Sequence, residues 1–111
     1  MNTITLHGRI IEDAKMTLVH TSSGETPLVK FSVIDTGLPY QKSEPMSIEV
    51  HFIKEAAAHI YDYLKKNKEV VIAGFLRQKK YIAPNGEEKE KKYISAEYVT
   101  LCPLYKERKI T

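Results

Sequence analysis

Along residues 75–93, cations and aromatic rings are interleaved. Phe75, Arg77, Lys79 and Tyr81 share one parity with Lys80 opposite, and Lys89, Lys91, Lys92 and Tyr93 follow a turn. These residue types in this order suit a single-stranded nucleic acid, because Lys and Arg neutralise phosphates and flat rings stack unpaired bases. Each ring used this way contributes roughly 1–3 kcal/mol, and each phosphate contact adds a counterion-release gain that weakens with salt. The same residues also suit a long exposed hairpin whose lysines block edge-to-edge pairing and whose tyrosines pack on the sheet, with Phe75 in the core.

Other chemistries are poorly supported. No phosphate-cradling Gly-rich loop ending in Lys-Ser/Thr and no dinucleotide fingerprint occurs. His7, His20, His51 and His59 lack short metal-ligand spacing, and His7 and His51 fall on polar strand faces and read as solvated. Asp35, Glu49 and Glu55 are not marked as an acid–base pair, and Cys102 has no activating neighbour in sequence and reads as a gap-filler near the last strand's end. The expectation is a chain that is not an enzyme and takes no metal, cofactor or small-molecule substrate.

The elements that must position these residues fit one domain. The chain has 111 residues, 42% apolar and 28% charged, which are globular proportions. No run approaches the roughly 18–20 apolar residues that span a bilayer, and the N-terminus Met1-Asn2-Thr3-Ile4-Thr5-Leu6 alternates instead of forming a secretory signal. A single cysteine allows no internal disulfide, so a cytoplasmic domain with no membrane partner is expected. Charge is uneven: five bases against eight acids up to Leu64 give −3, and twelve against six beyond it give +6. Such asymmetry suits a polyanionic partner, or a solvated lysine-rich surface.

Ile4, Leu6, Gly8 and Ile10 mark one face of a first strand, and Met16, Leu18 and His20 continue its alternation. After the turn Thr21–Glu25, Val29, Phe31 and Val33 mark a second strand, residues 40–46 read as a loop, and Ile48, Val50 and Phe52 mark a third. Ala57, Ile60, Tyr61 and Leu64 then recur at i, i+3, i+4, i+7, predicting an amphipathic helix of about 12 residues that stops near Asn67. A fourth strand runs from Glu69 to about Ile82, Pro84-Asn85-Gly86 is a tight turn, and a fifth strand runs from Lys92 to Leu101. The expected fold is all-β with one helix: a five-stranded oligonucleotide-binding (OB) barrel, helix between strands 3 and 4, bending sharply at Gly8 and Gly74.

Beyond this pattern, the chain resembles the DNA-binding domain of bacterial single-stranded DNA-binding proteins over residues 2–101. The resemblance is carried by Met1-Asn2 with a strand ending Gly8-Arg9, Asp62-Tyr63-Leu64-Lys65-Lys66-Asn67, and Val70-Val71-Ile72-Ala73-Gly74-Phe75-Leu76-Arg77. Lys79-Lys80-Tyr81, Asn85-Gly86-Glu87 and Lys92-Tyr93-Ile94 extend it in the same order. It implies residues 1–102 as the nucleic-acid-binding domain, residues 103–111 as a short basic tail, and homo-oligomeric assembly, as a dimer built by the first strand, here Thr3 to Ile10, or a tetramer of four barrels. The implied function is sequence-tolerant coating of single-stranded DNA in replication or recombination. Arg77, Lys79, Lys80, Lys89, Lys91 and Lys92 would contact phosphates, Tyr81, Tyr93 and Tyr40 would stack bases, and Phe75 is a further candidate.

The departures shape the expectation. There is no tryptophan, and the family's Trp-His pair is matched by Ser47-Ile48 and a nearby ring position by Ile53, which implies weaker binding or more reliance on lysines. The family's acidic, Phe-ending tail recruits repair and replication enzymes, whereas this chain ends Lys106-Glu107-Arg108-Lys109-Ile110-Thr111. No recruiting function is therefore expected, as in the accessory forms on plasmids, phages and other mobile genetic elements. Two alternatives stand beside it: a primosome-like barrel that docks on a replication helicase or primase, and an RNA-binding OB barrel.

Overall fold

The computed structural model describes residues 2–22, 24–35 and 45–102. Tyr40 and the 103–111 tail lie outside the described residues. Six strands, β1 (Ile4–Ile10), β2 (Lys15–Thr21), β3 (Gly24–Asp35), β4 (Met46–Ile53), β5 (Glu69–Ile82) and β6 (Glu88–Leu101), form one sheet in the order β1-β5-β6-β4-β3-β2. An additional β1–β3 pairing, Arg9 with Ile34 and Ile10 with Val33, closes five of them into a ring. All pairings are antiparallel except β4 with β6. The ring encloses Ile10, Val29, Val33, Val50, Val70, Ile72 and Ile94, all fully buried.

The alternation that continues from Ile10 through His20 belongs to two strands. Glu12-Asp13 breaks it, and β2 pairs only with β3, from Lys15 opposite Lys30 to Thr21 opposite Gly24. It stands outside the ring, and its Met16 and Leu18 are exposed.

The helix is also shorter than its periodicity predicts. Helix α1 spans Glu55–Ile60, between β4 and β5, and a 3-10 turn follows at Tyr61–Tyr63. The apolar stripe is used as expected, with Ala57 and Leu64 buried and Ile60 and Tyr61 packed beside them. Tertiary bonds end the helix early: the Ala14 N–H donates to the Leu64 carbonyl at 2.9 Å, and the Lys66 N–H donates to Asp13 Oδ1 at 2.8 Å. Groups bonded to the β1–β2 loop are unavailable to another helical turn, and so short a helix has little stability of its own to resist. Asn67, with φ of 75°, takes the left-handed conformation after that turn.

β6 begins at Glu88, four residues before its predicted start, because β5 and β6 stay paired to the turn, where Ile82 faces Glu88. Gly86 takes a φ of 87° there, and the Asn85 side chain accepts a hydrogen bond from the Glu87 N–H at 3.0 Å. This long hairpin carries the candidate site beyond the enclosed core.

Candidate nucleic-acid interface

Register sorts the hairpin's side chains. Direct partners in a ladder point to the same side of the sheet, so Phe75 with Ser95, Arg77 with Tyr93, Lys79 with Lys91 and Tyr81 with Lys89 share the outward face. Gln78 with Lys92, Lys80 with Glu90 and Ile82 with Glu88 share the other, continuous with half-buried Leu76 and the core residue Ile94. Of the residues that sequence singles out, Phe75, Arg77, Lys79, Tyr81, Lys89, Lys91 and Tyr93 are therefore gathered together, while Lys80 and Lys92 point the opposite way. Lys80 instead lies 3.6 Å from Glu88. Phe75 is half-buried and outside the core cluster, with the Arg77 guanidinium 5.8 Å from its ring centroid. Tyr81 is 44% exposed.

The outward face continues onto β4 and β3. Glu49 lies beside Tyr93, His51 beside Ser95, Ser32 opposite Glu49 and Lys30 opposite His51. His51 is not the solvated side chain that its strand parity predicts. It is 9% exposed, stacks on Tyr93 at 4.2 Å between centroids and hydrogen-bonds Glu49. Parity places a side chain on the outer surface but does not reveal the Tyr93 ring laid over it. Tyr93 itself is partly engaged, with His51 on one face and the Lys79 ammonium 5.8 Å from its centroid, so a base stacking there needs the face that His51 leaves.

Glu49 is the hub of this group. Lys91 Nζ donates to its Oε2 at 2.6 Å, and Lys79 Nζ lies 3.5 Å from its Oε1. Burial pushes the Glu49 carboxyl up, but hydrogen bonds from His51 and Lys91 and the charges of Lys91 and Lys79 outweigh it and lower its pKa to about 2. Burial lowers the His51 pKa, only partly opposed by Glu49, so the ring is neutral at pH 7 and its Nε2–H tautomer fits donation to the carboxylate. Both shifts act in one direction on stability. Below about pH 6.5 the unfolded chain takes up a proton that native His51 refuses, and between pH 4.5 and about 2 it takes up another that native Glu49 refuses. Stability should therefore be fully present above these values and fall as pH drops through each window. Urea midpoints from pH 7 to 3 check this, and Glu49→Gln should flatten the acid limb.

No sequence signal marks Glu49 or His51 as partners of the hairpin, because the parallel β4–β6 pairing joins segments some forty residues apart. Only the alternation Ile48, Val50, Phe52 hinted that Glu49 and His51 share a face.

The sequence model of the single-strand binding protein family matches residues 1–102. The chain belongs to this family. A search of curated proteins finds no match. Among solved structures the chain is similar to a Plasmodium falciparum SSB in complex with ssDNA, with a TM-score of 0.74 at 20% identity, over 93% of this chain and 96% of that one. At that identity the likeness speaks for the fold, a single-strand binding protein fold that is mostly β with a short helix and a closed five-strand sheet. In this member, the positions Ser47, Ile48 and Ile53 carry no ring, and the outward face carries Phe75, Tyr81 and Tyr93 together with Lys30, Arg77, Lys79, Lys89 and Lys91.

Proposed function

We propose that this chain is a non-catalytic, sequence-tolerant single-stranded DNA-binding protein built as a five-stranded OB barrel over residues 1–102. The observation that carries the reading is the gathering of five cations and three rings on one continuous β3–β4–β6–β5 face. Phosphates and bases alternate along a single strand, and a face of interleaved cations and rings meets both without reading base edges, which gives sequence tolerance. Arg77 and Lys89 contact phosphates directly, Lys79 and Lys91 do so from beside Glu49, and Tyr81, more exposed than Phe75 or Tyr93, stacks a base. The role is to coat strands exposed in replication or recombination and keep them from re-pairing.

The test is fluorescence anisotropy of a labelled oligo-dT of about 30 nucleotides, with duplex DNA and a matched RNA as competitors. A strong preference for the single DNA strand, with a log–log salt slope of about −0.7 per phosphate contact, is the expected result. Equal affinity for duplex, or none at low salt, removes the reading, and preference for RNA transfers it to RNA. Tyr81→Ala is expected to weaken binding by about 1–3 kcal/mol without loss of fold. Unchanged affinity in the folded variant would take Tyr81 out of the site.

A further inference from the structure

Among the described outward positions within Phe75–Tyr81 of β5, Lys89–Ser95 of β6, Glu49–His51 of β4 and Lys30–Ser32 of β3, Glu49 is the only acid. A carboxylate amid five cations on a surface meant for phosphate requires an explanation. It is not a solvated side chain that swings clear: its side chain is 17% exposed and is held by a hydrogen bond from His51. One oxygen takes Lys91 and the other faces Lys79, so its two oxygens bridge the ammoniums much as two non-bridging phosphate oxygens would. It also sits where two shallow surface grooves meet. One groove runs toward Glu12, Asp13 and Lys15, the other toward Glu90, Lys91 and Lys92, and both are lined by Ser32, Ser47 and Glu49.

We propose that Glu49 is an intramolecular competitor for phosphate, holding Lys79 and Lys91 in the unbound protein and yielding them only to a polyanion that displaces it. The inference rests on the single-strand-binding reading and adds a specificity element to it. An isolated phosphate cannot outcompete a tethered carboxylate held in place by His51. A strand that also engages Arg77, Lys89 and Tyr81 is anchored on both sides and can, because its next phosphate is presented at high effective concentration. The residue thus tunes affinity down and favours long ligands over short ones.

The test uses Glu49→Gln, which keeps the shape and the bond to His51 but removes the charge. Anisotropy with the oligo-dT probe should show binding about fivefold tighter at 0.1 M salt for each lysine released, converging near 1 M. The salt slope should steepen by about 0.7 per lysine. Glu69→Gln, the same charge change beside His7 at the far end of β5, should leave both quantities unchanged. Unchanged affinity and slope in Glu49→Gln, with normal binding by the wild type, overturns the competitor role and leaves the single-strand reading intact. Absence of binding by either protein overturns both. Should Glu49→Gln fail to fold, side-chain NMR of the wild type decides. The Lys91–Glu49 contact is expected to be lost on saturation with oligo-dT, and its persistence overturns the proposal.

Discussion

Gly74→Ala is expected to cost about 3 kcal/mol of folding stability or more, at the upper end of what overpacking does. A Cβ at Gly74 would lie 2.2 Å from the Ser95 carbonyl oxygen and 2.8 Å from the Ala96 Cα. Both are backbone atoms of β6, so relief requires parting β6 from β5, the strands whose pairing builds the hairpin. The close approach has a purpose. The register slips between Ala73 and Gly74, so that Gly74 faces Ala96 while Ala73 faces Tyr98, and Glu97 is left over. That extra residue switches the parity of β6: Ile94 and Ala96 face inward before it, and Val99 and Leu101 pack on the core after it. Gly8→Ala is the control. Its Cβ would meet Val33 Cβ at 3.1 Å and the Ile34 oxygen at 3.2 Å, which neighbours can relieve by small shifts. We expect a cost of about 1 kcal/mol there. Urea midpoints at constant m-value measure both. A loss below 1 kcal/mol for Gly74→Ala would show that the bulge relaxes freely.

Reversing two charges on the outward face, Arg77→Glu with Lys89→Glu, is expected to weaken oligo-dT binding by about a hundredfold or more at 0.1 M salt. Losing two phosphate contacts accounts for about 25-fold at this salt, and two carboxylates among phosphates add repulsion. The matched variant Lys80→Glu with Lys92→Glu has the same net charge, so long-range attraction changes equally in both. Its substitutions lie on the opposite side of the same hairpin, and we expect it to lose no more than a few-fold. The difference between the two variants therefore reads the face and not the total charge. Equal losses would mean that the strand wraps both sides of the hairpin, which would return Lys80 and Lys92 to the site. The salt slope is a second reading, shallower by about 1.4 for the outward pair only.

Much of this was legible in the sequence because it depends on local spacing. Two-residue alternation marked the strands around Leu6, Phe31 and Val50, and the Ala57, Ile60, Tyr61, Leu64 stripe marked the face that α1 and its 3-10 turn bury. The parity of Phe75, Arg77, Lys79 and Tyr81 already separated Lys80 from them. Lys92 was harder to place, because it belongs to the far strand, and only the pairing Gln78–Lys92 shows which side it takes. Similarly, the length of the helix was settled by Ala14 and Asp13, some fifty residues away, through bonds that no window of sequence contains. The strands, the hairpin and its wealth of cations are thus properties of the chain's own periodicity and composition. Which strands pair to close the expected barrel, the parity switch behind the bend expected at Gly74, and the meeting of Glu49 and His51 with Lys79, Lys91 and Tyr93 belong to the tertiary structure. Each of these depends on which backbone lies alongside which, and that choice is made by burial of a shared core between distant segments.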